Sequence, residues 1–309
     1  MKTTKVKAYA KINLTLQIVG NEGEYHLLDS LVASVDLYDL VVLKKRKDKL
    51  SSVTMKGQGS ESIPPESNNA LKAAELFSKR FDCNGADIAV YKNIPLGAGL
   101  GGSSADASGV LLGMAKLYGI NDETALGELA DALGSDTKYM LEGGFARMRG
   151  RGEKLERRDI SPKLHFLAIC PKTSVSAGAC YREYDARPIR GGEENATEKC
   201  LASLQDNDMD GVGRYLTNDL FPPAARLNAD VRTAYDEAKS FSPLGAVMTG
   251  SGSCVLAMFE SRELCEWAKS RYRGKFRTMV LRTVAPAQKD RGLKNPFAIS
   301  EEEYENAEE

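Results

Sequence analysis

An α+β fold in two parts is what this sequence predicts, and three observations predict it. From Lys5 to Ile18, apolar Val6, Ala8, Ala10, Ile12, Leu14, Leu16 and Ile18 alternate with Lys5, Lys7, Tyr9, Lys11, Asn13, Thr15 and Gln17. A period of two over that length is a strand with one face in a core. Other segments carry helical spacing, but strands and helices do not alternate regularly, which points to α+β. After "RMRGRGEKLERRD" the texture changes, and a polar stretch with Pro162 precedes a new apolar strand, "LHFLAIC", so a domain boundary falls near residue 160.

The elements follow in order. The first strand presents Lys11, Asn13 and Thr15 together on its polar face. "DLVVLKKR" and "VTMKG" read as further strands, and "ADIAVYKNIP" as the strand that feeds a glycine-rich loop. Helical spacing runs through "NNALKAAELFSKRF", then "SADASGVLLGMAKLYG" stopped by Gly119, then "DETALGELADALG" stopped by Gly134. The second half carries helical patterns around 197–216 and 228–240. The stretch "GAVMTGSGSCVLAMFE", a helix near 261–272 and the strand "FRTMVLRTV" complete it. The reading is thus a domain over 1–160, a second over 161–285, and an acidic tail over 286–309 that lacks a core pattern and is expected to be disordered.

Composition narrows the function. With 309 residues, 42% hydrophobic and 28% charged, the chain is an ordinary globular mix, and a net charge of −1 offers no general field to nucleic acid or an anionic membrane. Its start lacks the continuous apolar core of a signal peptide, and no apolar run is long enough to span a membrane. The six cysteines (Cys83, Cys170, Cys180, Cys200, Cys254 and Cys265) form no C-x-x-C pair. Reduced thiols in a cytoplasmic protein are the expectation, packed as small buried hydrophobes rather than bridged or bound to zinc.

Chemistry concentrates in "KNIPLGAGLGGSSADASGVLLGM". Gly97, Gly99 and Gly102 satisfy G-x-G-x-x-G, but the region about twenty residues on is helical rather than a strand ending in an acid, so the dinucleotide reading fails. The Walker pattern fails as well, since Ser103 and Ser104 follow Gly102 with no lysine between. The loop's physics survives both failures. Glycines allow several N–H groups to aim at one anion, and Ser103 or Ser104 can cap the following helix, whose first turn has free donors. The loop is built for phosphate; the plainer alternative is a flexible hinge with a serine cap.

Two other stretches supply what the loop lacks. Asp136 in "GSDTKYM" follows a helix stop, where a carboxylate can abstract a proton or simply cap a helix. Gly250 and Gly252 in "MTGSGSCVLAMF" form a second glycine turn before an apolar strand, which by itself can be a hairpin connection. His26 lies in a loop context, and His165, inside "LHFLAIC", reads as a satisfied core or edge-strand histidine.

Together, "AYAKINLTLQI", "IPLGAGLGGSSADA" and "MTGSGSCVLAMF" resemble the three motifs of the GHMP kinase superfamily, in order, over about Lys7 to Glu260. "GEYHLLDSLVASVDLYDLV", "GSDTKYMLEGGFARMRGRGEKL", "PKTSVSAGACYREYD" and "NDLFPPA" resemble its branch that phosphorylates a cytidine-diphosphate-linked methylerythritol. The resemblance implies a ribosomal-S5-like N-terminal domain and a ferredoxin-like C-terminal domain, with the active site between them. It implies transfer of the ATP γ-phosphate, with Mg²⁺, to the substrate's 2-hydroxyl in non-mevalonate isoprenoid precursor synthesis. Pro95, Gly97, Gly99, Leu100, Gly101, Gly102, Ser103 and Ser104 then wrap the ATP phosphates. Asp136 matches the family's proton acceptor and Lys11 its lysine. Tyr25, His26 and Tyr181 match the cytosine site, where two rings sandwich the base and His26 or nearby backbone reads its edge. Asn13, Gly250 and Gly252 complete the implied substrate-binding set, and no metal ligand is assigned.

Some positions depart from the pattern. Thr137 and Lys138 stand where Val-Pro usually follows the aspartate, which puts a cation beside the base or a phosphate. Ala177 stands where threonine is usual. Ala105-Asp106 replaces Asn-Ala, which places a carboxylate in the first helical turn near phosphate. Rival readings are another superfamily kinase, such as a homoserine or mevalonate kinase that needs no cytidine pocket, and a catalytically silent nucleotide-binding protein. The expected partner is a small molecule, not nucleic acid or membrane, for a monomer or homodimer.

Overall fold

The computed structural model describes residues 2–57, 60, 63–64, 67–189 and 192–285; the acidic tail read as disordered lies outside them. The alternating stretch becomes β1 (Thr3–Asn13) and β2 (Thr15–Glu22), parted at Leu14. The chain turns back at Gly23, at φ 61°, into β3 (Tyr25–Lys45), a strand of 21 residues that organises the first sheet. Along one edge β3 pairs with β2 and then β1. Along the other it pairs with β6 (Phe145–Gly150) and then β5 (Ala86–Tyr91). β4 (Ser52–Lys56) adds to β5 in parallel and β7 (Lys154–Arg158) to β6 antiparallel.

Helices α1 (Asn69–Phe81), α2 (Gly102–Tyr118), α3 (Glu123–Leu133) and α4 (Ser135–Met140) accompany this sheet. Asn68 and Asp122 cap α1 and α3 by accepting from Ala70 N and Ala125 N, as side-chain caps do. α2 is buried along nearly its whole length, from Ala105 to Leu117.

The second sheet holds β8 (His165–Cys170), β10 (Gly245–Met248), β11 (Val255–Phe259) and β12 (Arg277–Arg282) in the order β10-β11-β8-β12, all antiparallel. That order is the ferredoxin-like arrangement. Between β8 and β10 run α5 (Ala177–Ala186), α6 (Ala196–Gln205), α7 (Met209–Tyr215), β9 (Thr217–Asn218), α8 (Phe221–Leu227) and α9 (Ala229–Lys239); α10 (Arg262–Arg271) joins β11 to β12. The helical pattern around 197–216 is two helices, because Asn207 turns left-handed at φ 56° and Asp208 caps α7 from Gly211 N. β9 pairs in parallel with β2, so residues 217–218 extend the first sheet.

β2 is also where the two cores meet. Cys200, Leu201 and Val212 of α6 and α7 enter the core of the first sheet, while Leu16 and Ile18 enter that of the second. The polar face of β1–β2 is therefore covered rather than solvated. Lys11, Asn13 and Thr15 are only 5%, 3% and 0% exposed.

Two sequence readings change here. Cys170 and Cys254 are joined as a disulfide rather than held as free thiols. They are 84 residues apart, but antiparallel pairing of β8 and β11 brings their Cα atoms to 4.3 Å, which no linear spacing reveals. Cys83, Cys180, Cys200 and Cys265 are free, with burial pushing the Cys180 thiol up to about 11 and those of Cys200 and Cys265 to about 12. His165 is not satisfied, since its Nδ1 is buried without a hydrogen-bond partner at the start of an inner strand.

One charged cluster sits inside the first core. The Lys92 ammonium pairs with Asp39 and, at 2.6 Å, with Asp106 of α2; all three side chains are sealed from solvent. Asp39 Oδ1 also accepts from Asn93 N at 2.6 Å and Ile94 N at 2.9 Å, fixing the entry to the glycine loop. Burial pushes Asp106 well above the usual carboxylate range, against the pull of Lys92. Burial alone would lower Lys92, but the two carboxylates leave it raised. Asp106 thus lies beyond the first helical turn and turns inward to Lys92. Lys92→Met, which leaves both acids without their cation, is expected to cost about 3–5 kcal/mol of stability in urea denaturation. A loss below about 1 kcal/mol would show that the cluster does not hold the loop's base.

Candidate active site

The end of β1 carries the first two candidate groups. Lys11 Nζ donates to Asn13 Oδ1 at 2.7 Å and lies 3.3 Å from Asp136 Oδ2. Asn13 Oδ1 also accepts from Gly250 N at 3.0 Å, and Asn13 Nδ2 donates to Ser30 Oγ at 2.9 Å. Asn13 N donates to Thr249 Oγ1 at 3.0 Å, and that hydroxyl lies within donating distance of Gly99 O, 3.2 Å, and Asn13 Oδ1, 3.3 Å. Asn13 is thus engaged on every side by protein, and it joins Lys11 to the second glycine turn.

The glycine loop rests on this junction. Gly97, Gly99 and Gly101 take φ of 62°, 76° and 73°, the left-handed region that glycine enters without a Cβ penalty. Lys11 N donates to Leu100 O at 3.0 Å and Cys254 N to Ala98 O at 3.2 Å, so β1 and the approach to β11 each hold one point of the loop. Contact is close: a Cβ on Gly99 would overlap the carbonyl oxygen of Thr249, and one on Gly101 would lie 3.1 Å from Lys11 Cγ. Leu100 is buried under the loop, while Pro95 is partly covered and Gly97 exposed.

Gly101 is the N-cap of α2 and no side chain caps it, so Ser103 and Ser104 lie in the first turn rather than at the cap. The reason is chain geometry, since the helix already begins at Gly102. Ser103 is exposed and accepts from Asn69 Nδ2 at 3.1 Å. The free N–H groups of the first turn remain directed out of the helix start, where an anion binds.

Asp136 lies in the first turn of α4, whose N-cap is Gly134, so it is not the cap. Its side chain keeps 29% exposure beside the buried Lys11. A carboxylate, a lysine and a helix start therefore converge at one place, the set that phosphoryl transfer to an alcohol requires. Lys138 does not stand beside Asp136 as a second cation: it pairs with Asp131 at 2.6 Å, one helix back. Thr137 is buried, and Ala177 is an exposed first residue of α5.

The aromatic set assembles differently from a simple sandwich. His26, at the β2–β3 hairpin, itself stacks on Tyr181 of α5, with centroids 4.7 Å apart and planes 23° apart. Tyr184 meets the same ring edge-on at 6.0 Å. Tyr25 is 58% exposed and has the Arg151 guanidinium 4.7 Å over its ring, so His26 takes the place beside Tyr181 that a base was expected to share. Burial pushes the Tyr181 phenol up to about 12.

The sequence reading missed Thr249, Asn218, Lys92 and Asp39. Asn218 Nδ2 donates to Met248 O at 2.6 Å and Gly250 O at 2.8 Å, which holds the second turn from β9. Lys92 had a signal: with Ile88, Val90 and Ile94 it continues the buried face of β5 at period two. Thr249 and Asn218 lie within the stretches "MTGSGSCVLAMF" and "NDLFPPA", but their structural roles had no local signal, because their partners are distant in sequence.

Known proteins are similar over most of this length. The family model for the GHMP kinases N terminal domain matches residues 68–146, and that for GHMP kinases C terminal matches residues 200–274. The 4-diphosphocytidyl-2-C-methyl-D-erythritol kinase of Caldicellulosiruptor saccharolyticus is 34% identical over 261 residues, 83% of this chain and 88% of that protein. The enzyme of the same name from Clostridium perfringens is 31% identical over 277 residues, 88% of this chain and 94% of that one. A crystal structure of 4-(cytidine 5'-diphospho)-2C-methyl-D-erythritol kinase superimposes with a TM-score of 0.76 at 29% identity, covering 91% of this chain and 100% of that one. A homoserine kinase from Cytophaga hutchinsonii superimposes at 0.69 with 20% identity, covering 93% and 96%, a likeness of fold alone. Among the described residues no helix is long and apolar enough to cross a membrane.

The interlocking of the two turns can be tested at Gly99. Gly99→Ala is expected to lower Tm by more than about 3 °C and to raise KM for ATP at least about tenfold. Gly119→Ala is the control, since Gly119 is also left-handed, at φ 69°, but has nothing near its Cβ position. That variant should lose stability without losing ATP affinity. Equal KM values in the two would sink the interlock.

Proposed function

The chain belongs to the GHMP kinases, in the group of the 4-diphosphocytidyl-2-C-methyl-D-erythritol kinases, and on that premise we propose how its own residues carry the reaction. The activity is transfer of the ATP γ-phosphate to the 2-hydroxyl of the cytidine-diphosphate-linked methylerythritol, a step of non-mevalonate isoprenoid synthesis. One observation carries the assignment of roles: Lys11 Nζ lies 3.3 Å from Asp136 Oδ2 beneath the glycine loop.

In the proposed reaction, loop amides after Pro95 and up to Ser104, with the start of α2, hold the triphosphate, doing with backbone donors what a P-loop lysine does elsewhere. Asp136 accepts the 2-hydroxyl proton. The alkoxide oxygen forms its bond to the γ-phosphorus as the bond to the β–γ bridging oxygen breaks, and that oxygen leaves with the electron pair on ADP. Lys11 orients Asp136 and offsets charge on the transferred group; Asn13 holds Lys11 in place. Gly250 and Gly252 shape the turn that faces the loop.

Mg²⁺ in such reactions is held by a few protein oxygens together with the nucleotide's phosphates. Among the described residues no group of three or more acidic, His or Cys side chains could hold a metal unaided. The hydroxyls of the exposed Ser103 and the partly covered Ser104 fit a nucleotide-borne ion, whereas Asp106 is sealed against Lys92. When bound, the ion neutralises phosphate charge. Tyr25, His26 and Tyr181 form the cytosine end of the site in this proposal, with Tyr25 free to cover one face of the base.

Purified protein with Mg-ATP and the diphosphocytidyl substrate, beside homoserine and mevalonate as controls, tests the activity. Asp136→Asn is expected to lower kcat at least about a hundredfold, with ATP affinity little changed. Near-normal turnover would remove Asp136 from the mechanism. Tyr25→Ala is expected to raise KM for the cytidylyl substrate about tenfold and leave that for ATP alone, since base stacking is worth about 1–3 kcal/mol. Equal changes in the two constants would argue against a stacking role.

A further inference from the structure

We propose that Asp185 is a specificity-determining positioning residue: its carboxylate fixes the His26 tautomer so that the ring selects cytosine over uracil. The inference rests on the cytosine site proposed above and adds a residue to it. His26 Nε2 lies 2.7 Å from Asp185 Oδ1. An ionised carboxylate only accepts, so neutral His26 carries its proton on Nε2 and donates it to Asp185. Nδ1, across Cε1 from that bond, is then the ring's acceptor.

The clamp around His26 is built by one helix face. Tyr181, Tyr184 and Asp185 stand at i, i+3 and i+4 of α5, so all three point the same way. Tyr181 lies flat against the imidazole, Tyr184 meets it edge-on, and Asp185 takes its Nε2–H. The ring plane and the proton position are set together, while the His26 side chain keeps only 12% exposure. Stacking alone would leave the tautomer open.

The chemistry of the two pyrimidines gives that tautomer a meaning. Cytosine presents an exocyclic amine, a donor, where uracil presents a carbonyl, an acceptor. An Nδ1 acceptor bonds the amine and meets the carbonyl with lone pair against lone pair. A site that leaves a polar group unpaired against the wrong ligand discriminates more strongly than a site that merely fits. Asp185 is 52% exposed, so water shares its carboxylate and the effect is that of a single hydrogen bond.

His26 and His165 are the chain's two histidines, so ¹⁵N-histidine NMR of the full-length protein resolves both rings. With cytidine 5'-diphosphate bound, His26 is expected as the Nε2–H tautomer. Asp185→Ala is expected to narrow the cytidylyl-over-uridylyl ratio of kcat/KM about tenfold, with the loss in KM for the cytidylyl substrate, one hydrogen bond's worth. Asp185→Asn keeps an acceptor and is expected to keep the ratio. An Nδ1–H tautomer in the complex, an unchanged ratio in Asp185→Ala, or an Asp185→Asn variant as indiscriminate as the alanine would overturn the proposal. If cytidine 5'-diphosphate does not bind at all, the cytosine site falls, and this inference with it; if it binds with the other tautomer, only the inference falls.

Discussion

The side-chain oxygen of Asn13 is the point on which the rest depends. It accepts from Lys11, at the end of the first sheet's opening strand, and from Gly250 N, in the turn between β10 and β11 of the second. Asn13 N meanwhile donates to the Thr249 hydroxyl, itself within reach of Gly99 O. Three segments distant in sequence, the end of β1, the glycine loop and the turn at 249–250, are thus joined through one residue. Such buried polar networks are costly when half satisfied and rigid when complete. Here Asn13 also bonds Ser30, so its two side-chain polar atoms both have partners.

Rigidity at that point matches the chemistry proposed for the site. Phosphoryl transfer needs little covalent help from protein and much from alignment and charge placement. A lysine that is buried and tethered reaches Asp136 in one geometry, and the loop above it is pinned from both sheets. Beneath the loop, the Lys92 cluster is a second, buried anchor. In the proposed site, positive charge near the nucleotide comes from Lys11 and from the helix start. The other buried lysine of this region is occupied by its two acids.

The departures from the family's motif pattern look different once packed. Asp106 turns into the core to Lys92, and Lys138 turns out to Asp131, so neither alters the field at Asp136 by direct contact. Ala177 opens α5, the helix whose next turns grip His26. Charged residues that read as threats to the site in one dimension are structural in three. Their direction depends on helix phase, and a change of one residue in the helix start is enough to redirect them.

Much of the architecture was legible in the sequence by itself. Period two marked β1 and β5, glycines stopped α2 and α3, and the loop's failure to match either common phosphate motif still left the anion-binding reading on which the proposed function rests, because free amides at a helix start bind anions whatever the motif. Lys11, Asp136 and the loop were named from local pattern and family resemblance, since each lies within a short, ordered stretch. Tertiary structure alone decided the rest. It paired Cys170 with Cys254, buried the polar face of β1 under the second sheet, and set His26 against Tyr181 and Asp185. Each of these depends on contact between segments far apart in the chain, where residue order carries no distance information until the backbone has folded.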